Sequence, residues 1–198
     1  MLAPTTTRVL AFAGSLRRHS HNNLLIEAAT ALAPDGMTID SYRDLGSLPL
    51  FDEDAEHDRP ANDAVRHFRH AVASADGLLI ATPEYNRSYS GVLKNAIDWL
   101  SRDDDLLWGR PVAVLGATTG PWGTRLAQTA LTSVLHATGA AVMPGHDVFV
   151  RDAERELDHV ECRISERYEE RLRTFASAFR DWIACTAPWR ARRLGKAA

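Results

Sequence analysis

The chain has 198 residues, 45% of them apolar and 25% charged, with 23 Lys and Arg against 26 Asp and Glu for a formal charge of −3. That length suits one domain able to bury a core without disulfides or metals, and so level a charge offers no long-range field to draw in a nucleic-acid backbone. The composition is also far from the low-hydrophobicity, high-charge signature of disorder.

Met1–Arg8 holds no basic segment followed by an apolar core of leader size, and no run reaches the roughly 20 apolar residues that span a bilayer. We therefore expect a cytoplasmic protein with no membrane partner. Arg8–Ala13 is a near-continuous apolar run, as a strand covered on both faces requires. Gly14-Ser15 ends it, and a helix follows with Leu24, Leu25, Ala28, Ala29 and Leu32 at helical spacing. After the turn at Pro34-Asp35-Gly36, Met37–Tyr42 reads as a second strand, polar enough for a sheet edge. Residues 43–60 contain Pro49 and the acids Asp52, Glu53, Asp54, Glu56 and Asp58, and read as a solvated loop. A helix over Ala61–Ser74 carries Val65, Phe68 and Val72 on one side. Asp76–Ala81, the most hydrophobic strand, is expected at the centre of the sheet.

A loop at Thr82–Ser90 leads to a helix through Leu93, Ala96, Ile97 and Leu100. Pro111–Ala117 is the fourth strand, Gly123–Thr138 the fourth helix, and Ala140–Met143, resuming near Val148, the fifth strand. Leu157, Val160, Ile164, Tyr168, Leu172, Phe175, Phe179 and Trp182 step by three or four and predict one long final helix. We read a single domain over 1–185, followed by a flexible basic tail over 186–198. Strands alternating with helices in this way specify a doubly wound α/β fold of three layers. Cys162 and Cys185 have neither CxxC spacing nor paired histidines, so free thiols and no metal site are expected.

In an open parallel sheet the ligand site lies beyond the carboxyl ends of the strands, where the strand order reverses. The loop after the first strand, Gly14–Asn23, offers the hydroxyls of Ser15 and Ser20, the amide of Asn22, the cations Arg17 and Arg18, and the N–H groups of a helix start. These are the parts of a phosphate cradle; they are equally the parts of a capped helix with incidental arginines. The loop lacks GxxxxGK[ST] and GxGxxG, which excludes P-loop chemistry and the usual dinucleotide fingerprint. It has no cysteine nucleophile, and the third strand ends in Ala81-Thr82-Pro83 rather than in the Asp of a phospho-acceptor domain.

Gly14-Ser15-Leu16-Arg17-x-x-Ser20-x-Asn22, paired with Thr82–Trp99 (TPEYNRSYSGVLKNAIDW), resembles the NAD(P)H-dependent FMN reductase family, which includes quinone, azo-dye and chromate reductases. The likeness spans roughly residues 8–145. It implies a flavodoxin-like sandwich with a five-stranded parallel sheet in the order 2-1-3-4-5, with FMN as cofactor and NADPH or NADH as co-substrate. Ser15, Arg17, Ser20 and Asn22 match positions that hold the FMN phosphate, and His19 and His21 stand beside them; His21 is included among the cofactor-binding residues. Pro83, Glu84, Tyr85 and Asn86, with Ser88, match the loop that lies against the flavin ring, largely through backbone N–H groups. Thr118, Thr119 and Gly120 belong to a third, Gly-rich site loop, and Gln128 matches a Gln in the helix after it. Lys94, Asn95, Asp98 and Trp99 match as packing and interface residues, and Arg87 is a candidate contact for the pyridine nucleotide.

Two departures stand out. Ser90 replaces the usual Pro before Gly91, where Ser caps a helix well, and Pro121-Trp122 interrupts the third loop, so that Trp122 either lines the flavin ring or fills a subunit interface. The implied reaction is a ping-pong hydride transfer from NAD(P)H to FMN and on to a small-molecule acceptor (a flavin, quinone, azo compound or chromate). The protein then needs no catalytic acid or nucleophile of its own. A dimer or tetramer of the chain is expected. The alternative is a flavin-binding module without enzyme activity or an electron carrier of flavodoxin type; the level charge and Arg17 weigh against a carrier, whereas Trp122 could block hydride access.

Overall fold

The computed structural model describes residues 6–58, 62–102 and 104–195. Its frame is a parallel sheet of β1 (Thr7–Ala13), β2 (Met37–Tyr42), β3 (Gly77–Ala81), β4 (Pro111–Ala117) and β5 (Ala141–Val142), hydrogen-bonded in the order β2-β1-β3-β4-β5. Every residue of β3 is buried, and β3 is the central strand; β2, whose exposed Thr38, Asp40 and Ser41 alternate with buried Met37 and Ile39, is an edge. The expected fifth strand is split. β5 pairs with the start of β4, and β6 (Val148–Val150) takes up the same edge against Leu115–Ala117.

One face of the sheet is covered by α1 (His21–Ala31) and α8 (Glu166–Arg193), which bury Leu25, Leu172, Phe175 and Phe179 against Ala11, Leu79 and Ala113. The other is covered by α3 (Asp63–Ala73), α4 (Gly91–Leu100), the short α5 (Asp104–Leu107) and α6 (Arg125–Ala137), through Phe68, Val72, Leu93, Ile97, Leu107 and Leu131. Apolar residues on both sides of each central strand thus meet a helical layer, and the three-layer flavodoxin-like arrangement follows.

Three stretches differ from the sequence reading. The acidic run is not a loop throughout: α2 (Glu53–Asp58) forms there, and Glu53 and Glu56 pair with Arg102 while Glu56 also pairs with Arg69. Opposite charges supplied from α3 and from the end of α4 hold a segment that solvent alone would not order. The second difference is at the predicted final helix. Leu157 and Ile164 belong instead to a small hairpin of β7 (Leu157–Asp158) and β8 (Arg163–Ile164), following a single turn α7 (Ala153–Glu156). The Asp158 carboxylate accepts N–H bonds from Val160 and Glu161, and Cys162 takes φ +51°, so the chain reverses within four residues. Leu157 and Ile164 face each other across the hairpin and are both buried. Their seven-residue spacing therefore mimicked a helical stripe.

The third difference is at the chain end, where α8 runs on through Pro188 to Arg193, over much of the segment read as a flexible tail. Trp189 stacks on Trp108 with ring centroids 4.8 Å apart, Arg193 lies over the same indole, and Arg190 donates to the Trp108 carbonyl. The helix end is docked by aromatic contact, which the Arg-rich composition conceals. Residues 196–198 lie outside the described part, as does Ala61, the predicted start of the helix that begins at Asp63. Cys162 and Cys185 are both free and exposed. No helix among the described residues is long and apolar enough to cross a membrane, and none of their His, Cys, Asp and Glu side chains form a group of three placed to hold a metal ion.

Candidate active site

Because β1, β3 and β4 are neighbours, the loops that follow them form one continuous rim at the carboxyl end of the sheet. In the first loop Ser20 is the N-cap of α1; its hydroxyl accepts from Asn23 N–H at 3.3 Å and keeps its own proton free to donate outward. Ser15 is only 6% exposed, its side chain makes no hydrogen bond to a described residue, and its hydroxyl still reaches solvent. The backbone N–H groups of Ser15, Leu16, Arg17, His21 and Asn22 likewise find no acceptor among the described residues. Arg17, Arg18 and His19 are exposed around them. Unpartnered donors, a helix N-terminus and two guanidinium groups are the components an anion site requires.

Asn22 is placed differently from the other motif residues. It is buried beneath the loop, donating through Nδ2 to the Ala117 carbonyl at 3.0 Å and accepting at Oδ1 from Ala117 N–H at 2.9 Å. Both ends of its amide are thus engaged in fixing the first loop to the end of β4, and Asn22 is a positioning residue.

The second loop turns on Tyr85-Asn86-Arg87-Ser88. Tyr85 and Ser88 exchange two backbone hydrogen bonds, of 2.9 and 3.0 Å, across Asn86 at φ +51° and Arg87 at φ +64°. Two consecutive positive φ values define the tight primed turn of β-hairpins, and this turn holds the loop rigid. It leaves the N–H groups of Glu84, Asn86 and Arg87 without acceptors among the described residues. The Glu84 carboxylate caps α6, accepting from Leu126 and Ala127 N–H at 3.0 Å each; a negative group is favoured at a helix N-terminus. Ser90 is the N-cap of α4, accepting from Leu93 N–H. Ser in place of Pro therefore leaves the helix start intact.

In the third loop Thr118 accepts at Oγ1 from Gly120 N–H and shares backbone hydrogen bonds with Val150 and Ala153. Thr119 is exposed, and Gln128 is buried with its amide donating to Thr124 Oγ1 and to the Val148 carbonyl. Glycine is required where these loops touch. A Cβ on Gly14 would stand 2.6 Å from Leu93 and from Ser90 Oγ, and one on Gly116 would stand 2.3 Å from the Thr82 carbonyl oxygen. Leu16, Tyr85 and Trp122 are exposed apolar groups on this rim, Trp122 at 78%. A hollow of about 540 Å³, bordered by Thr7, Asp76, Pro111 and Ile183, lies at the opposite end of the sheet and contains none of these groups.

A profile of the family described as NADPH-dependent FMN reductase matches residues 7–155. The chain belongs to that family. It is 38% identical over 178 residues to a 2-hydroxy-1,4-benzoquinone reductase of a Burkholderia species, covering 89% of this chain and 96% of the relative. It is also 36% identical over 177 residues to an NAD(P)H-dependent FMN reductase of Pseudomonas aeruginosa, covering 89% and 95%. Among solved structures, the flavoenzyme NAD(P)H:(acceptor) oxidoreductase FerB of Paracoccus denitrificans superposes with a TM-score of 0.82 at 31% identity, covering 91% of this chain and 98% of that one. The protein is accordingly a flavodoxin-like oxidoreductase that works with FMN and NAD(P)H.

In this reductase the candidate residues divide by contact. Ser15, Arg17 and Ser20, with His21 beside them, belong to the first loop and the start of α1, whereas Asn22, Glu84 and Gln128 hold the loops to one another and to the sheet. Asn95 and Trp99 do the same on the outer side, binding the Pro49 carbonyl through Nδ2 at 2.9 Å and Nε1 at 2.8 Å, while Asn95 Oδ1 accepts from Phe51 N–H. Lys94 and Asp98 form an ion pair along α4. Sequence reasoning missed His159, in the β7–β8 turn, whose Nε2 lies 3.0 Å from His21 Nδ1. No motif marks it, since the hairpin that carries it was itself read as helix.

Proposed function

We propose that this protein is a cytoplasmic homo-oligomeric reductase that passes two electrons from NAD(P)H to a quinone-type acceptor through FMN held on the rim of the β1, β3 and β4 loops. The observation that carries the reading is the pair of open donor rows, one at the first loop and one at the Tyr85–Ser88 turn. A phosphate fits the first, where Ser15, Arg17, Ser20 and His21 join the backbone donors. The second, with Pro83, Glu84, Tyr85, Asn86 and Ser88, suits the carbonyl and nitrogen edge of a flavin ring, and Thr118, Thr119 and Gly120 close the third side. Donors fixed there favour an electron-rich ring.

Bound FMN supplies the hydride chemistry, accepting from NAD(P)H and giving to the acceptor in alternate half-reactions. The protein's part is to bind, orient and shield. The turn at Asn86 and Arg87 keeps donors in place without reorganisation, the exposed faces of Tyr85 and Trp122 offer apolar surface to planar substrates, and Arg87 offers charge to a nucleotide phosphate. A quinone is favoured because the Burkholderia relative is named a benzoquinone reductase. The apolar rim also suits an interface with a second copy. Mixing the FMN-loaded protein anaerobically with NADPH should bleach the flavin, and adding benzoquinone should restore its colour. Flavin that binds but stays oxidised would sink the proposal in favour of a binding module.

A further inference from the structure

The β7–β8 turn places His159 against the start of α1. Its ring centroid is 4.9 Å from that of His21 and 6.2 Å from that of His19, and Nε2 of His159 is hydrogen-bonded to Nδ1 of His21. His21 is the first residue of α1, and its own N–H is one of the donors left open in the first loop. The groups that face it are His159 from the hairpin, Arg17 from the first loop and a single acid, Glu154, from α7. The acid next to His159, Asp158, is engaged by two backbone N–H groups of its own turn. Positive and proton-binding groups therefore gather at the positive end of a helix dipole, with little fixed negative charge to balance them.

We propose that His159 and His21 act as a pair that clasps the FMN phosphate and takes up one proton as it binds. The proposal rests on the first loop being the FMN phosphate cradle. The proton count follows from imidazole chemistry. In a neutral hydrogen-bonded pair one ring donates its only N–H to the other, so it presents a bare nitrogen outward while its partner presents an N–H. One added proton turns both outward nitrogens into donors, with no bond broken and no redox change. Without an anion this state is disfavoured, because burial first, then His159 and Arg17, hold the His21 ring below the ordinary histidine value, against a smaller upward pull from Glu154. A phosphate dianion supplies the missing negative charge, and its own second ionisation, near pH 6, sets the lower limit of the effect.

The test is a fluorescence titration of flavin-stripped full-length protein with FMN and, in parallel, with riboflavin, from pH 6.5 to 8.5. One proton taken up per FMN weakens its binding by up to tenfold per pH unit, whereas riboflavin, which has no phosphate, should bind with a constant Kd. His159→Ala, at an exposed turn, should weaken FMN binding at pH 6.5, match the parent protein at pH 8.5 and flatten the slope. An unchanged slope in His159→Ala, or an equal slope for riboflavin, overturns the clasp while leaving the FMN site standing. Absence of FMN binding at every pH overturns both.

Discussion

Replacing Asn22 by Leu keeps the branched outline of the buried side chain but removes both hydrogen bonds to Ala117. The N–H and C=O of Ala117 then both point at an apolar group at the end of a fully buried strand, where water has little room to replace the amide. Each orphaned buried group costs about 1–3 kcal/mol, and the greater apolar burial of Leu returns on the order of 1 kcal/mol. The net loss is about 1–5 kcal/mol, a large part of the roughly 5–15 kcal/mol that holds an ordinary domain together. With a urea dependence of about 2 kcal/mol per molar, the unfolding midpoint should fall by roughly 0.5–2.5 M. Asn22→Asp retains an acceptor for Ala117 N–H but sets a carboxylate against the Ala117 carbonyl, and should lose a comparable amount. Urea unfolding of the flavin-free protein, followed by tryptophan fluorescence, reads the effect without involving the cofactor. A midpoint shift below about 0.3 M, accompanied by lost FMN affinity, would refute the positioning role and make Asn22 a direct ligand.

Gly116→Ala forces a methyl onto the Thr82 carbonyl, which belongs to the backbone and cannot rotate away; a loss of about 1–3 kcal/mol by overpacking and weaker FMN binding should appear together in unfolding and flavin titrations. The Glu56 carboxyl is pushed up by burial, but its hydrogen bonds to Arg102 and Arg69 outweigh this and hold it below its ordinary value. Its contribution to stability is therefore complete above the ordinary Glu value, about 4.3, and is lost as the pH falls through the lower folded-state value; the stability gap between the parent protein and Glu56→Gln should be constant near neutrality and close in acid. Trp189→Ala removes the stack on Trp108, worth about 0.5–1.5 kcal/mol beyond area burial. Hydrogen exchange should then quicken over residues 186–193, leaving the sheet unchanged.

The alternation of apolar strands with helical stripes made the sheet and both helical layers legible, because each buried strand of a parallel sheet is apolar on both faces and reads unambiguously. Even the interruption of the fifth strand left a trace in the polar gap before Val148. What misled the reading was local. Leu157 and Ile164 satisfy a helical period although they face each other across a hairpin, and nothing in the spacing reveals that the Asp158 side chain ends the strand. Arg190 and Arg193 read as a solvated tail because composition counts their charge and not the Trp108 surface on which they lie. Arg110 passed without notice, yet it is 2% exposed and donates to the Leu106 and Ala75 carbonyls, with burial pushing its guanidinium down to about 10. Such long-range partners are decided only when the chain is folded.

The loops of the candidate site were legible in the sequence, and the contacts of their side chains less so. A motif identifies Ser15, Arg17, Ser20 and Asn22 as a set, but hydrogen bonding separates them: both ends of the Asn22 amide are bound to Ala117, whereas the Ser20 hydroxyl only accepts and the Ser15 hydroxyl has no partner among the described residues. Glu84 follows the same rule, its carboxylate turned to the start of α6 while the N–H groups of its turn stay open. Polar side chains fix the loops and backbone donors are left for the ligand, which is economical in a flavin site because N–H groups held by the fold need no rotamer ordering when the cofactor arrives. It also explains how Ser90 can replace Pro without harm. The position has only to start α4 correctly, and the Ser side chain does this by accepting from Leu93 N–H. By the same reasoning, Trp122→Ala, at an exposed side chain outside this scaffold, should leave the Kd for FMN unchanged in a flavin titration.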